Sequence, residues 1–476
     1  MKLRLIATFL FLATLCSALH AREITPARTQ KAINRFVDDS LMRHGSLGVI
    51  VVDVKNGKTL GCRNANLACI TASTMKTVTS SAALELLGAD FTFLTPVYLD
   101  GEIQGNCLNG DIVIEGVGDP TLGSVYFKEN LDIVGEIVQF LKKQGIKEIS
   151  GKLRVDNSRY YYPAFNGDWC ADDLAWDFGM GVHALNYCDN RMRLVFDGHG
   201  DGTLSNAHFE PNVPGVQIIN RLRRGNNDNV TPLLEYANPA IVLTGTASDT
   251  TYYFDVANPC PDALLLDSLA HSLSRENIKV GNRNIVKGGH RWLLLNHKSP
   301  VLTDIISSLL ERSDNMFTEA LLRAIAVNSS REPLDSEGVA VIDSLFSARG
   351  IDATGKFQYD GSGLARNNKA SVQFFADMLT YMSSRRFGSK QLRLVDLMPR
   401  IGVNAKIGDW LKETSLSTHI AVKSGSMRDV QCYVGYYPAD DPQYAWAVLV
   451  NNWHGTRPNL KNMIDRLLIG IFDPEQ

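Results

Sequence analysis

Ser73-Thr74-Met75-Lys76-Thr77-Val78-Thr79-Ser80-Ser81-Ala82-Ala83-Leu84-Glu85-Leu86-Leu87 opens with a hydroxyl and an amine three residues apart, in a stretch where small residues and then leucines recur at helical spacing. On a helix, Ser73 and Lys76 fall one turn apart on one face, so their side chains meet. Serine is a poor nucleophile until a base removes its proton. Lysine is such a base only where burial or a neighbouring cation lowers its pKa. The tetrapeptide alone decides little, because a chain of 476 residues contains roughly one or two Ser-x-x-Lys by chance. Its meaning depends on whether the rest of the chain supplies partners.

Working outward, helical periodicity at Ile33, Phe36, Val37 and Leu41 predicts a helix over about 28–42. The apolar run 47–54, the Asn56-Gly57 turn signal and Thr59-Leu60 predict a β-hairpin before the Ser73 helix. After Leu87 short strands are expected, punctuated at Asp100-Gly101 and Asn109-Gly110. A helix follows over 133–141, ended by Gly145, and then a strand over 149–155 that ends at Asp156. The middle of the chain mixes aromatic-rich loops with strands near 193–196, 240–243 and 252–256, and one helix over 263–273. Long helices return from Val301, and the chain closes with strands at 419–422, 433–437 and 445–450 and a helix over 460–471. This pattern reads as one α/β domain split in sequence, residues 22–88 plus 297–476, with 89–296 inserted.

Two further stretches carry candidate chemistry. Ser313-Asp314-Asn315 lies between two helices, where a hydroxyl and an amide on a tight turn can face a cleft or simply cap a helix. Lys423-Ser424-Gly425 follows the apolar Ile420-Ala421-Val422. It offers a fixed cation, a hydroxyl and a glycine that lets another backbone approach, as for a peptide added to a sheet edge; the alternative is a strand that ends in a glycine turn.

Composition narrows the class. Hydrophobic content of 45% and charged content of 21% are those of an ordinary globular protein of two or three domains. A formal net charge of −3 without a long basic run gives no electrostatic reason to expect nucleic acid. Lys2 and Arg4 precede an apolar run to Leu15 and a small-residue end at Ala18 or Ala21, so residues 1–21 read as an export signal. The expected product is periplasmic, at most loosely associated with the membrane, and without a spanning helix. Of eight cysteines, Cys16 leaves with the signal; Cys62 with Cys69 and Cys170 with Cys188 flank short loops and are candidate disulfides. No Cys-x-x-Cys and no His-Glu-x-x-His occurs, so neither a metal nor another cofactor is expected.

Taken together, Ser73-Thr74-Met75-Lys76, Ser313-Asp314-Asn315 and Lys423-Ser424-Gly425 resemble the signature of the penicillin-recognising serine enzymes: Ser-x-x-Lys, Ser-Asp-Asn and Lys-Thr-Gly. Ser424 replaces the usual threonine and keeps its hydroxyl. The long stretch between the first two motifs resembles the low-molecular-mass class C penicillin-binding proteins, which are D-alanyl-D-alanine carboxypeptidases and endopeptidases. Gly118-Asp119-Pro120-Thr121-Leu122, Val155-Asp156-Asn157-Ser158 and Asp360-Gly361-Ser362-Gly363-Leu364-Ala365-Arg366 resemble further segments of that group.

The resemblance implies a transpeptidase-like α/β domain, an antiparallel sheet flanked by helices, with a strand-rich insertion between the first two motifs. It also implies an acyl-enzyme on Ser73, with Lys76 as base, Ser313 relaying a proton and Asn315 orienting the substrate amide. Lys423 and Ser424, beside Gly425, would hold the substrate carboxylate, and the N–H groups of Ser73 and Ser426 would form the oxyanion hole. Asp156, Tyr161 and Arg366 would line a pocket for the third residue of a stem peptide. Arg428 is either a second cation for that pocket or a solvated surface arginine. The implied partners are peptidoglycan stem peptides and β-lactam antibiotics. Two alternatives stay open from the sequence: a β-lactamase or esterase on the same scaffold, and a non-catalytic peptidoglycan-binding protein.

Overall fold

The protein is seen here as a computed structural model that describes residues 24–128, 132–160, 163–198, 206–235, 238–281, 291–404, 407 and 409–473. The expected export signal, Cys16 and Tyr161 lie outside these residues. Among the described residues no helix is long and apolar enough to cross a membrane. The chain divides into two units. One gathers the described residues up to Cys69, Ala370–Ser384 and those from Met398 on; the other comprises Ile70–Lys369 and Arg385–Leu397.

The first unit is built on a five-stranded antiparallel sheet in the order Ala421–Met427, Val430–Tyr437, Tyr444–Asn451, Ser46–Asp53, Thr59–Arg63. Its inner strand Ser46–Asp53 has six consecutive buried residues, an apolar run rather than an alternation, because both faces of the sheet are covered. Leu47, Val49 and Val51 share a core with Ile33 and Phe36 of helix Pro26–Val37 and with Leu460, Ile464 and Leu467 of helix Arg457–Phe472. Gly48 faces Val372 of helix Val372–Ser383, where a β-carbon would stand 3.1 Å from the valine methyl. The predicted hairpin, closing strands and last helix are all present.

In the second unit, helix Met75–Leu86 packs among Leu302–Arg312, Asn315–Asn328 and Asp335–Ala348. Ten successive residues of this helix, Met75 to Leu84, are buried. The run of Thr, Ser and Ala explains how: short side chains let neighbouring helices approach on several sides, which a helix with one apolar stripe does not permit. The strand-rich part holds a six-stranded sheet, a three-stranded and a four-stranded sheet, with a core that joins Ile112, Ile114, Ile137, Leu194, Leu243 and Leu269.

Three local expectations are corrected. Asp100-Gly101 and Asn109-Gly110 are not turns. They lie inside the paired strands Leu94–Gln104 and Cys107–Glu115, with Gly101 directly opposite Gly110, and the chain reverses at Gly105, whose φ is 62°. A β-carbon on Gly101 would fall 2.2 Å from the carbonyl oxygen of Asn109, so these glycines serve close backbone approach. The strand expected over 149–155 is two, Glu148–Ile149 and Leu153–Asp156. All seven cysteines from Cys62 to Cys432 are free thiols, so neither candidate disulfide is present. Cys62 lies on a sheet strand opposite Ile50 while Cys69 is buried further on, and Cys170 is exposed while Cys188 is half-buried in a separate turn. Closeness in sequence does not provide the bond geometry.

Candidate active site

Ser73 lies in a 3-10 turn, Ala72–Thr74, that feeds the α-helix beginning at Met75; the continuous helix expected from the sequence has a tighter first turn. Ala72 takes the left-handed conformation at φ 44°, uncommon for a residue with a β-carbon. Facing it is Gly363, at φ 84°, where a β-carbon would stand 2.0 Å from the Ala72 carbonyl oxygen. The turn Asp360–Gly363 is thus pressed against the turn that carries the nucleophile.

Lys76 is fully buried, at 0% exposure. Its Nζ donates to Ser73 Oγ at 3.0 Å, to the carbonyl of Ser362 at 2.8 Å and to Oδ1 of Asn315. As an ammonium it has three hydrogens for these three partners. As a neutral amine it keeps two, for Ser362 and Asn315, and turns a lone pair toward the serine hydroxyl.

Ser313 ends helix Leu302–Arg312 in the left-handed conformation, at φ 60° and ψ 44°. Asp314 caps the next helix, its carboxylate accepting from Phe317 N at 3.1 Å, and Asn315 is the first helical residue. Capping and site are not competing readings of this tripeptide: the central aspartate caps, and its neighbours are presented on either side. Asn315 is fixed at both ends of its amide, since Nδ2 donates to the Phe178 carbonyl at 2.6 Å while Oδ1 accepts from Lys76.

Beneath Lys76 lies a buried carboxylate network. Glu319, 2% exposed, accepts from Gly361 N at 2.7 Å and from Ser362 N at 2.8 Å. Asp360, 0% exposed, accepts from Gly363 N, Ala365 N, Asn368 Nδ2 and Trp169 Nε1 at 2.6–2.9 Å. Burial raises the pKa of both, and Asp360 and Asp335 push Glu319 further up. Glu319 is absent from the sequence-based site. Its only signal is the spacing of four from Asn315, which sets both on one face of a helix. Among the described residues no three His, Cys, Asp or Glu side chains come together to hold a metal.

In the first unit, Lys423-Ser424-Gly425 lies within the outer strand Ala421–Met427 rather than at its end. Lys423 is 1% exposed and donates to the Ser424 carbonyl at 2.8 Å. Gly425 is opposite Cys432, and Ser426 opposite Gln431. Arg428 is exposed in the turn that follows.

Of the proposed side-chain pocket, Asp156 ends strand Leu153–Asp156 and pairs with Arg291 at 3.1 Å, a cation the sequence reading missed. Hydrogen bonds from Ser158, then Arg291, hold its carboxyl below the usual range. Arg291 also lies 4.2 Å from the centre of the Tyr98 ring. Arg366 is exposed and acts on Asp173.

The D-Ala-D-Ala carboxypeptidase 3 (S13) family matches this chain over residues 29–469. The protein belongs to that family. It is 24% identical over 405 residues to the D-alanyl-D-alanine carboxypeptidase DacB of Haemophilus influenzae, covering 82% of each chain. The crystal structure of penicillin binding protein 4 from that organism has a TM-score of 0.78 at 22% identity, covering 92% of this chain and 99% of that one. The structure described as its complex with a novel β-lactam has a TM-score of 0.74 at 22% identity, covering 92% and 98%. The protein is thus a low-molecular-mass class C penicillin-binding protein of the serine D-Ala-D-Ala carboxypeptidase type. Its fold is that of the Haemophilus influenzae penicillin binding protein 4.

Proposed function

We propose that the protein is an exported, periplasmic DD-peptidase that works through an acyl-enzyme on Ser73 and cleaves both D-Ala-D-Ala ends and D-Ala-diaminopimelate cross-links of peptidoglycan. The observation that carries this reading is the buried Lys76 Nζ, 3.0 Å from Ser73 Oγ and braced by Asn315 and Ser362. The lone pair of neutral Lys76 takes the hydroxyl proton as Oγ attacks the carbonyl. The N–H groups of Ser73 and Ser426 hold the oxyanion, charge that develops only on the way to the tetrahedral intermediate. The C–N bond then breaks, and the leaving amine receives a proton through Ser313. Water hydrolyses the ester and restores the hydroxyl. Asn315 orients the substrate amide, and Lys423 with Ser424 holds the terminal carboxylate. Penicillin would form the same ester and stall there. Residues 22–88 with 297–476 form the catalytic domain in this reading, with 89–296 inserted.

The third stem-peptide residue would be one that ends in an amino acid head, such as meso-diaminopimelate, received by Asp156, Tyr161 and Arg366. Arg428 would add a second cation. The Asp156–Arg291 pair supports a lining of mixed charge, since paired arginine and carboxylate give selectivity as well as affinity. The test is D-alanine release from two matched peptides, one with the full amino acid head and one with a neutral amide, together with cleavage of a cross-linked dimer. Preference for the full head, lost in Asp156→Ala and Arg366→Ala, is the expected result. Equal specificity constants would reject the pocket, and an intact dimer would reject the endopeptidase activity.

A further inference from the structure

Arg457 is the first residue of the C-terminal helix, a place where the helix dipole disfavours a cation. Its contacts explain the choice. Nη1 donates to Ser426 Oγ, to the Gln431 carboxamide oxygen at 2.7 Å and to the Val430 carbonyl at 3.1 Å, and Nη2 donates to the Met427 carbonyl. Its guanidinium also lies 5.4 Å from the centre of the Trp453 ring. One planar fork thus grips both arms of the hairpin whose first strand carries Lys423, Ser424, Gly425 and Ser426.

The hairpin needs such a grip. Met427 pairs with Val430 across a two-residue turn, Arg428-Asp429, where connections of this length favour Asn-Gly or Gly-containing pairs. Asp429 is forced to φ 60°. The turn sequence does little to specify its own geometry, and the arginine supplies what it lacks, together with a bond from Asn452 N to the Asp429 carbonyl at 2.8 Å. Gln431, 2% exposed, receives the guanidinium and also the Ser426 hydroxyl at 3.3 Å, which ties the serine to the same fork.

We infer that Arg457 is a positioning residue for acyl transfer: by clamping Met427, Val430, Gln431 and the Ser426 hydroxyl, it fixes the Ser426 N–H where the oxyanion forms. The inference rests on the role proposed above for Ser426. A donor displaced from the oxyanion lowers the chemical step and leaves ground-state binding nearly untouched.

The test measures kcat and KM for a D-Ala-D-Ala peptide and the acylation rate with benzylpenicillin, in wild type, Arg457→Ala and Arg457→Lys, with thermal midpoints alongside. We expect Arg457→Ala to lose roughly tenfold or more in kcat and acylation, with KM within about twofold. Arg457→Lys, a cation without the fork, should not restore the rate, whereas millimolar guanidinium ion should restore part of it in Arg457→Ala. Arg457→Lys serves as the test if Arg457→Ala does not fold. An unchanged kcat, full restoration by lysine, or a loss that only tracks the unfolded fraction would overturn the inference. A wild type that forms no adduct on Ser73 would overturn it together with the mechanism beneath it; a wild type that acylates beside an equally fast variant overturns the inference alone.

Discussion

Glu319 accepts the amide of Ser362 at 2.8 Å, and the carbonyl of that same Ser362 accepts Lys76 Nζ at 2.8 Å. A buried carboxyl group therefore stands one peptide unit away from the base, and its second oxygen holds Gly361. The nucleophile turn is pressed against this loop through Gly363 and Ala72.

From this relation, Glu319→Ala should leave two buried amides unpaired and release the carbonyl that braces Lys76. Loss of a thermal-unfolding stability of roughly 1–3 kcal/mol is expected, with acylation by benzylpenicillin slowed about tenfold or more. Glu319→Gln retains one acceptor oxygen but turns a donor toward the other amide, so it should recover only part of the rate. Equal acylation by all three proteins would remove Glu319 from the account of the site.

His183 gives the stability a pH dependence. Burial lowers its pKa from 6.5 to about 4, with Asp262 acting in the opposite sense and Arg323 in the same one, and Nε2 is buried without a partner. The neutral ring is the form that suits the fold, so its contribution is fully present above pH 6.5 and is lost as the pH falls toward 4. The size is at most about 3–4 kcal/mol. Buried Asp119 and Asp189, whose pKa values are raised, work with the opposite sign: their contribution is present in acid and lost as the pH rises. Thermal midpoints measured from pH 7 to pH 4 should fall less in His183→Leu than in wild type. Parallel curves would show that this ring does not titrate on unfolding.

The free thiols should differ in accessibility. Cys170 is exposed, while Cys432 is fully buried, its thiol pushed far above the usual range by burial. Alkylation of the native protein followed by peptide mapping should label Cys170 first and Cys432 last, with Cys69, pushed up to about 11, also slow. Recovery of Cys170 joined to Cys188, or Cys62 joined to Cys69, under non-reducing conditions would contradict the structure.

What could be read from the sequence was set by how local the physics is. Helix Arg457–Phe472 and the three strands before it were legible because their burial imposes helical periodicity or unbroken apolar runs over a few residues. The three motifs stood out in the sequence because each sets particular side chains at short spacing. Gly101 and Gly110 misled because Asp-Gly and Asn-Gly are turn signals, while here each glycine makes room for the other across a hairpin. Glu319 escaped notice because its partners, Gly361 and Ser362, are more than forty residues away in sequence. Arg457 did so for the same reason, its grip being on a turn about thirty residues earlier. Long-range contacts of this kind leave no period and no spacing to read.

The most direct measurement is the intact mass of the protein after benzylpenicillin, for wild type, Ser73→Ala and Lys76→Ala. The account predicts a wild type that gains one penicilloyl group, mapped to Ser73, and two variants that gain none while keeping the wild-type circular dichroism. A wild type without an adduct, an adduct on another serine, or a Lys76→Ala protein that acylates as fast as wild type would contradict it.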